Sequence, residues 1–311
     1  MCADILQPDE AVLTRAVADL RGGDLVAMPT ETVYGLAADA SNPDAVATIY
    51  EAKGRPQFNP LIAHVSKLDM ARIEGQFSDF ALKLADTFWP GPLTLVVDLA
   101  PTAKTCDLAR SGLSTIALRC PAHPIALDLI KRFGGPLVAP SANLSGRVSP
   151  TTAAHVATDL GNKINLILDG GRCQTGVEST IIDARHNAPV LLRAGTVMPQ
   201  QIEAVWPGLI RPETSPDSPT APGQLLRHYA PNAQLRLNAG SPGPDEALLG
   251  FGAVKATLNL SPSDNLTEAA ANLFAMLRRL DESHTHIAVS PIPQTGLGEA
   301  INDRLTRAAR G

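Results

Sequence analysis

The stretch KGRPQFNPLIAHV, residues 53–65, places Lys53 and Arg55 two apart, with a glycine between them and a proline after them. Two fixed positive charges in a stiff turn suit a polyanion, because charge-assisted hydrogen bonds to phosphate are strong and directional. The chain then enters a short apolar run that carries one histidine, His64, on the strand face opposite Ala63 and Val65. A histidine there serves either as a satisfied core residue or as a ligand-contacting one. The run STIALR puts Thr115, Ala117 and Arg119 on one strand face, and Ile116 and Leu118 on the other. An arginine on such a face is either solvated or held for a carboxylate or phosphate.

Further polar residues gather at the ends of other apolar runs. In APSANLSGRVSPTT, residues 139–152, Ser141 and Asn143 follow a strand. Ser149, Pro150 and Thr151 then lead into a helix whose first N–H groups could face an anion or simply be capped. PTETVYG, residues 29–35, is another hydroxyl-rich loop expected between a strand and a helix, with the same two readings. VEST puts Glu178 and Ser179 at a strand entrance, and Arg193 ends VLLR. Lys53, Arg55, Arg119 and Arg193 thus supply four cations near strand ends in an acidic protein. Open α/β sheets bind ligands beyond their strand ends, so an ATP-like polyanion is the natural partner.

Several familiar sites are excluded. GRCQTGVE, residues 171–178, has the glycine spacing of a phosphate loop but lacks its lysine and hydroxyl. GLGEAI lacks a third glycine, and neither a GxSxG elbow nor an HExxH pair occurs. Cys2, Cys106, Cys120 and Cys173 are scattered, which argues against a zinc site or disulfide framework and for a reducing cytoplasm. The first ten residues lack a basic and an apolar signal region, and no apolar run approaches a membrane span, so a secretory or membrane role is not expected. The net charge of −5 speaks against nucleic-acid binding by bulk charge.

These residues must be positioned by layers. Apolar spacing predicts helices over 8–21, 43–53 (capped by Asn42), DFALKLADTF, PIALDLIKRF and TTAAHVATDL. Strands are expected at DLVAM, LIAHV, LTLVVDL, TIALR, PLVAP, LILD, STIID and VLLRA. Their alternation implies an α/β fold with a largely parallel or mixed sheet. From 207 to 231 the chain turns proline-rich and loses periodicity, as a semi-rigid linker does. Residues 232–311 regain the alternation. The expected organisation is a catalytic domain over 1–206, a linker over 207–231 and a small α/β domain over 232–311.

Seven blocks, PTETVYGLAADA, KGRPQFNPLIAHV, WPGPLTLV, STIALRCPAHP, PSANLSGRVSPTT, DGGRCQTGVESTIID and LLRAG, resemble the YrdC-type domain in both content and order. RHYAP and GLGEAINDRLTRAA are similar to the longer, two-domain members of that family. The resemblance covers nearly the whole chain. It implies a YrdC-like twisted open mixed sheet with helices, plus a small Rossmann-like C-terminal domain. It also implies an L-threonylcarbamoyladenylate synthase acting on L-threonine, bicarbonate or CO2, and ATP with Mg2+. The product would feed the tRNA threonylcarbamoyl transferase machinery, with direct tRNA contact possible but not required.

The same resemblance assigns roles. Lys53, Arg55, Asn59, Thr115, Asn143, Thr151, Arg193 and Tyr229 would face ATP. Thr32, His64, Arg119, Ser141 and Ser179 would hold threonine, with Arg119 on its carboxylate. Lys53, Arg55, Ser141 and Asn143 form the family's KxR…SxN signature, and Tyr229 would cover the site from the linker. No protein ligand for the metal is implied. Three positions depart from the family: Ala37 where glycine is usual, expected at a helix start; Ser114 where aspartate is frequent; and Leu225–Leu226 where a lysine and an aromatic are usual. Two other readings are a non-catalytic tRNA or double-stranded RNA-binding module, and a carbamoyltransferase like the hydrogenase-maturation proteins. The latter carry zinc-finger cysteines that this chain lacks.

Overall fold

The computed structural model describes residues 2–185, 188–212 and 228–310. In chain order the larger sheet uses β1 (Asp4–Leu6), β2 (Val26–Met28), β3 (Gly35–Asp39), β4 (Ile62–His64), β5 (Gly75–Gln76) and β6 (Leu93–Leu99). It continues with β7 (Thr115–Arg119), β8 (Leu137–Val138), β9 (Leu166–Leu168), β10 (Thr180–Asp183) and β11 (Val190–Arg193). The helices among them are α1 (Glu10–Gly22), α2 (Pro43–Lys53), α3 (Leu68–Glu74), α4 (Asp79–Phe88), α5 (Pro124–Phe133), α6 (Ala153–Leu160) and α7 (Pro199–Val205). The strands lie in the order β1-β9-β2-β3-β8-β4-β7-β6-β10-β11, with β5 beside β6. Pairings are both parallel, as β4 with β7, and antiparallel, as β6 with β7.

Local chemistry fixes the ends of α2, which delivers the first cationic pair. Asn42 Oδ1 accepts from the N–H groups of Asp44 and Ala45, at 3.0 and 3.3 Å, and Pro43 opens the helix. Gly54 ends it with φ +59°, a left-handed conformation that glycine adopts without strain. Lys53 and Arg55 are therefore thrown to either side of a helix C-cap.

The alternation read in TIALR holds. Ile116 and Leu118 join the main core, while Ala117 packs on the other face with Ile62, Val96 and Ile181. PTETVYG differs from expectation. It does not lead into a helix but turns into β3, which runs antiparallel to β2 with Ala37 opposite Val26. Ala37 is fully buried in mid-strand, not at a helix start. GLAADA is buried throughout its first four residues and so shows no two-residue alternation. Short β1, β5, α3 and α7 also lay below what spacing alone revealed.

The second unit holds β12 (Gln234–Arg236), β13 (Ala247–Gly250), β14 (Leu258–Asn259) and β15 (His286–Val289), with α8 (Leu266–Asp281) and α9 (Leu297–Ala308). Its sheet, β12-β15-β13-β14, is parallel throughout, as the Rossmann-like expectation required. Val33, Val148 and Val177 of the larger unit share one apolar cluster with Tyr229, Phe274 and Leu273. Polar ties add to it: Arg278 of α8 pairs with Asp159 of α6 at 2.6 Å, and Arg172 donates to Asn272 at 2.6 Å. The departure at Leu225 and Leu226 lies outside the described residues, as do 213–227 of the linker. Among the described residues no helix is long and apolar enough to cross a membrane.

Candidate active site

β4 and β7 run parallel and in register, so His64 stands beside Arg119 at the same strand ends. Arg55 arrives from the α2 turn, Ser141 from the loop after β8, Ser179 from the entrance to β10 and Arg193 from the end of β11. These six, with Glu178, His228 and Tyr229, line one enclosed hollow. The cavity measures about 50 Å3. That is room for on the order of one or two waters.

Arg119 is buried and ion-paired with Glu31 of the PTET loop at 2.7 Å. Its Nη2 also donates to Thr32 Oγ1 at 3.0 Å, while its buried Nε has no hydrogen-bond partner. Arg193 donates from Nε and Nη2 to the Ser179 carbonyl, at 3.1 and 2.9 Å, and to Ser179 Oγ at 3.0 Å. Thr94 Oγ1, 2.8 Å from Ser179 Oγ, completes that cluster. Arg55 Nε and Nη2 reach the carbonyls of Asn59 and Pro60 at 3.3 and 3.0 Å. Burial lowers its pKa to about 10 and also lowers that of Arg193.

Lys53 stands behind the hollow. Its Nζ donates to the carbonyls of Ser141 and Asn143, which bolts the α2 turn to the following loop. Burial, then the Arg55 charge, holds its pKa well below the ordinary lysine value. Asn143 Nδ2 donates to the carbonyls of Leu144 and Arg147, leaving Oδ1 without a partner; Asn59 Oδ1 is likewise buried and unpartnered. Thr32 backs Arg119. Of the expected contacts, Lys53, Asn59, Asn143, Thr32, Thr115 and Thr151 do not line the hollow. Thr115 begins β7, ~13 Å along the strand from Arg119 at 3.3 Å per residue. Thr151 precedes the helix cap, Thr152, and its hydroxyl lies 3.4 Å from His155 Nδ1.

Tyr229 roofs the cavity with φ +62° and is almost wholly buried. Its ring lies 4.0 Å from that of His228 and stacks on Phe274 of α8 at 5.6 Å. His228 Nδ1 is buried without a partner, and burial plus the charges of Arg55, Lys53, Arg193 and Arg304 push its pKa well down. His64 is lowered to about 3, by burial first and Arg119 second. Both imidazoles are therefore neutral at pH 7. Beyond His228 lies an open depression lined by Gly54, Pro56, Ser145, Gly146, Arg147, Ala230 and Pro231.

Sequence reasoning assigned no role to Glu31, Thr94, Glu178 or Arg304. Burial would raise the Glu178 carboxyl, but Arg304 and Arg193, with a bond from Ser149 Oγ at 2.5 Å, hold it below the usual carboxylate range. Arg304 carried a signal: it sits on the apolar stripe Ile301, Arg304, Leu305, Ala308 of α9, where an arginine needs a buried partner. Burial raises the Cys173 thiol to about 12, which disfavours the reactive thiolate.

An open mixed sheet with guanidinium groups gathered beyond its strand ends, and a second, parallel α/β unit packed against it, places the chain with two-domain proteins of the Sua5 type. Residues 18–195 match the Sua5/YciO/YrdC family model, described as telomere recombination, and residues 197–310 match the threonylcarbamoyl-AMP synthase C-terminal domain model. Threonylcarbamoyl-AMP synthase of Bacillus subtilis is 41% identical over 99% of this chain and 96% of its own length. The Pyrococcus abyssi synthase is 40% identical over 94% of this chain and 93% of its own. The crystal structure of P. abyssi Sua5 complexed with L-threonine superposes with a TM-score of 0.92, at 38% identity, covering 99% of this chain and 97% of that one. The chain belongs to the threonylcarbamoyl-AMP synthase family.

Proposed function

We propose that this protein condenses L-threonine, bicarbonate or CO2, and ATP into threonylcarbamoyl-AMP and pyrophosphate. The observation that carries this reading is the convergence of Arg55, Arg119 and Arg193 on one enclosed hollow. Threonine's neutral amine adds to CO2 through its nitrogen lone pair, one C=O π bond shifts its electrons onto oxygen, and the nitrogen gives up one proton to solvent to leave a carbamate. A carbamate oxygen then attacks the α-phosphorus of ATP, and pyrophosphate leaves with the electron pair of the broken P–O bond. The carbamate is its own nucleophile, so the protein's task is to position reactants, stabilise charge and exclude water.

Arg119 takes the threonine carboxylate through donors that Glu31 and Thr32 leave available, its unpartnered Nε among them. His64, Ser141 and Ser179 surround the amino acid. Arg55 and Arg193 meet the phosphates; the unpartnered Oδ1 atoms of Asn59 and Asn143 are acceptors and suit a hydroxyl or amino donor of the nucleotide, not a phosphate oxygen. Lys53 acts through the Ser141–Asn143 loop that it holds. The nucleotide extends into the open depression beyond His228. A 50 Å3 cavity holds neither substrate, so the His228–Tyr229 segment moves outward to admit them. Magnesium comes with ATP on its phosphate oxygens; among the described residues no group of three or more His, Cys, Asp or Glu side chains is arranged for a metal. The product supplies N6-threonylcarbamoyladenosine formation on tRNA in the cytoplasm.

The RNA-binding alternative is disfavoured because the relatives that match nearly the whole chain are named as synthases, and because Arg55, Arg119 and Arg193 are gathered in one hollow and not spread over an exposed basic face. Pyrophosphate release tests the proposal. It should require both threonine and bicarbonate; release indifferent to threonine would remove it.

A further inference from the structure

Arg304 comes from α9 of the C-terminal unit, yet it touches two residues that line the hollow of the other unit. Its Nε donates to Glu178 Oε2 at 2.8 Å, and its guanidinium lies over the Tyr229 ring, 5.2 Å from the centroid. Nη2 donates to the Ala194 carbonyl at 2.9 Å, next to Arg193, and Nη1 pairs with Asp303 at 2.6 Å. Its side chain has no exposed surface.

A fully buried guanidinium is a poor device for stability alone. Desolvation offsets most of its Coulombic attraction, and apolar residues of like volume do as well or better. What this arginine supplies is geometry. Its planar fork fixes the Glu178 carboxylate, its face carries the Tyr229 ring, and its remaining donor holds the backbone beside Arg193.

We infer that Arg304 is a positioning residue of the active site, through which the C-terminal helix sets Glu178 and Tyr229 against the bound substrates. The inference rests on the proposed synthase reading and deepens it: the hollow is complete only with a residue of the second unit. Glu178 is faced by Arg304 from α9, Arg193 from β11, Ser149 from the loop before α6, and Tyr229 from the roof. With Arg304 gone, burial acts on Glu178 against Arg193 and Ser149 alone, and its protonation moves to higher pH.

The test compares the full-length wild type with Arg304→Gln and Arg304→Lys, measuring threonine-dependent pyrophosphate release from pH 5 to 9 and thermal melting. Wild-type turnover is established first; its absence speaks against the synthase reading and not against Arg304. Arg304→Gln is expected to lose about 10- to 100-fold in kcat/KM for threonine, the scale of a misplaced site. Its acid limb should also move to higher pH. Arg304→Lys keeps the charge but not the fork. It should recover part of kcat/KM with the acid limb where the wild type has it. Wild-type kcat/KM and an unmoved limb in Arg304→Gln would overturn the inference, as would a loss confined to the active fraction, with KM and limb unchanged. If Arg304→Gln does not fold, Arg304→Lys decides: wild-type kcat/KM there overturns it, and a raised threonine KM in a protein that melts normally supports it.

Discussion

The Arg119 guanidinium and the Glu31 carboxylate, from β7 and the PTET loop, meet at 2.7 Å with both side chains less than a tenth exposed. Glu31 thereby holds Arg119 at the strand end and partly neutralises it before any substrate arrives. Removing one member leaves the other charged and buried, at a cost of about 3–5 kcal/mol. Arg119→Ala is expected to abolish threonine-dependent pyrophosphate release and to lower stability by that order in urea unfolding. Arg119→Met with Glu31→Gln should regain most of the stability and none of the activity. Recovery of activity in the double variant would show that Arg119 is not the carboxylate-binding group.

His64 gives the protein an acid-sensitive core. Its folded pKa is depressed to about 3 from an ordinary 6.5, because burial and Arg119 disfavour the imidazolium. The unfolded chain thus binds a proton that the folded one refuses between those two values, and stability falls as pH drops through that window. The contribution is about 1.4 kcal/mol per pH unit well inside it. His155, lowered to about 4, and His228 act in the same direction. Unfolding free energies measured from pH 7 to pH 4 should decline more steeply in the wild type than in His64→Gln. Equal slopes would mean that the histidine is protonated in the fold.

Much of this was readable in the chain and some was not, for physical reasons. Lys53 and Arg55 announced themselves because a capped helix, a left-handed glycine and a proline leave few places for them to go. Strand alternation gave Arg119 and His64 their faces but left each with a second reading, and the register of β4 and β7 is what makes the two neighbours. Strand β3 escaped because residues buried on both faces have no period. Glu31 escaped because a carboxylate in a hydroxyl-rich loop looks solvated until its partner, 88 residues further on, folds against it. Arg304 lay in the stripe of a helix whose partner belongs to the other unit, and no local pattern names a residue 126 positions away. Thr115 and Thr151 lie away from the hollow that Arg55, Arg119 and Arg193 line, and alternation and capping alone did not indicate that separation.

Gly195, in the LLRAG block, leaves no space for a side chain. A Cβ there would lie 2.4 Å from the Glu178 carbonyl oxygen and 2.4 Å from the Thr180 nitrogen, both backbone atoms. Gly195→Ala must displace the Glu178–Thr180 segment that carries Ser179. The expected loss is about 1–3 kcal/mol of stability, as for other forced overpacking. A raised KM for threonine should accompany it. Melting and steady-state kinetics check both, and an unchanged KM would detach this segment from substrate binding.

Tyr229 separates lid from latch. Tyr229→Phe keeps the stack on Phe274 and the face presented to Arg304, so kcat/KM should stay within a few-fold of wild type. Tyr229→Ala removes the roof and both ring contacts, and should cost at least tenfold, on the scale of a lost closing element. Equal activities across the three proteins, in pyrophosphate release, would remove the closing role.

The most direct measurement is mass spectrometry of the mixture after incubating the protein with L-threonine, bicarbonate, ATP and magnesium. The expected result is threonylcarbamoyl-AMP, with pyrophosphate formed alongside it and neither seen when threonine is withheld. Pyrophosphate or AMP formed without threonine, or no adenylate from a folded and fully supplied protein, would contradict the reaction assigned to this site.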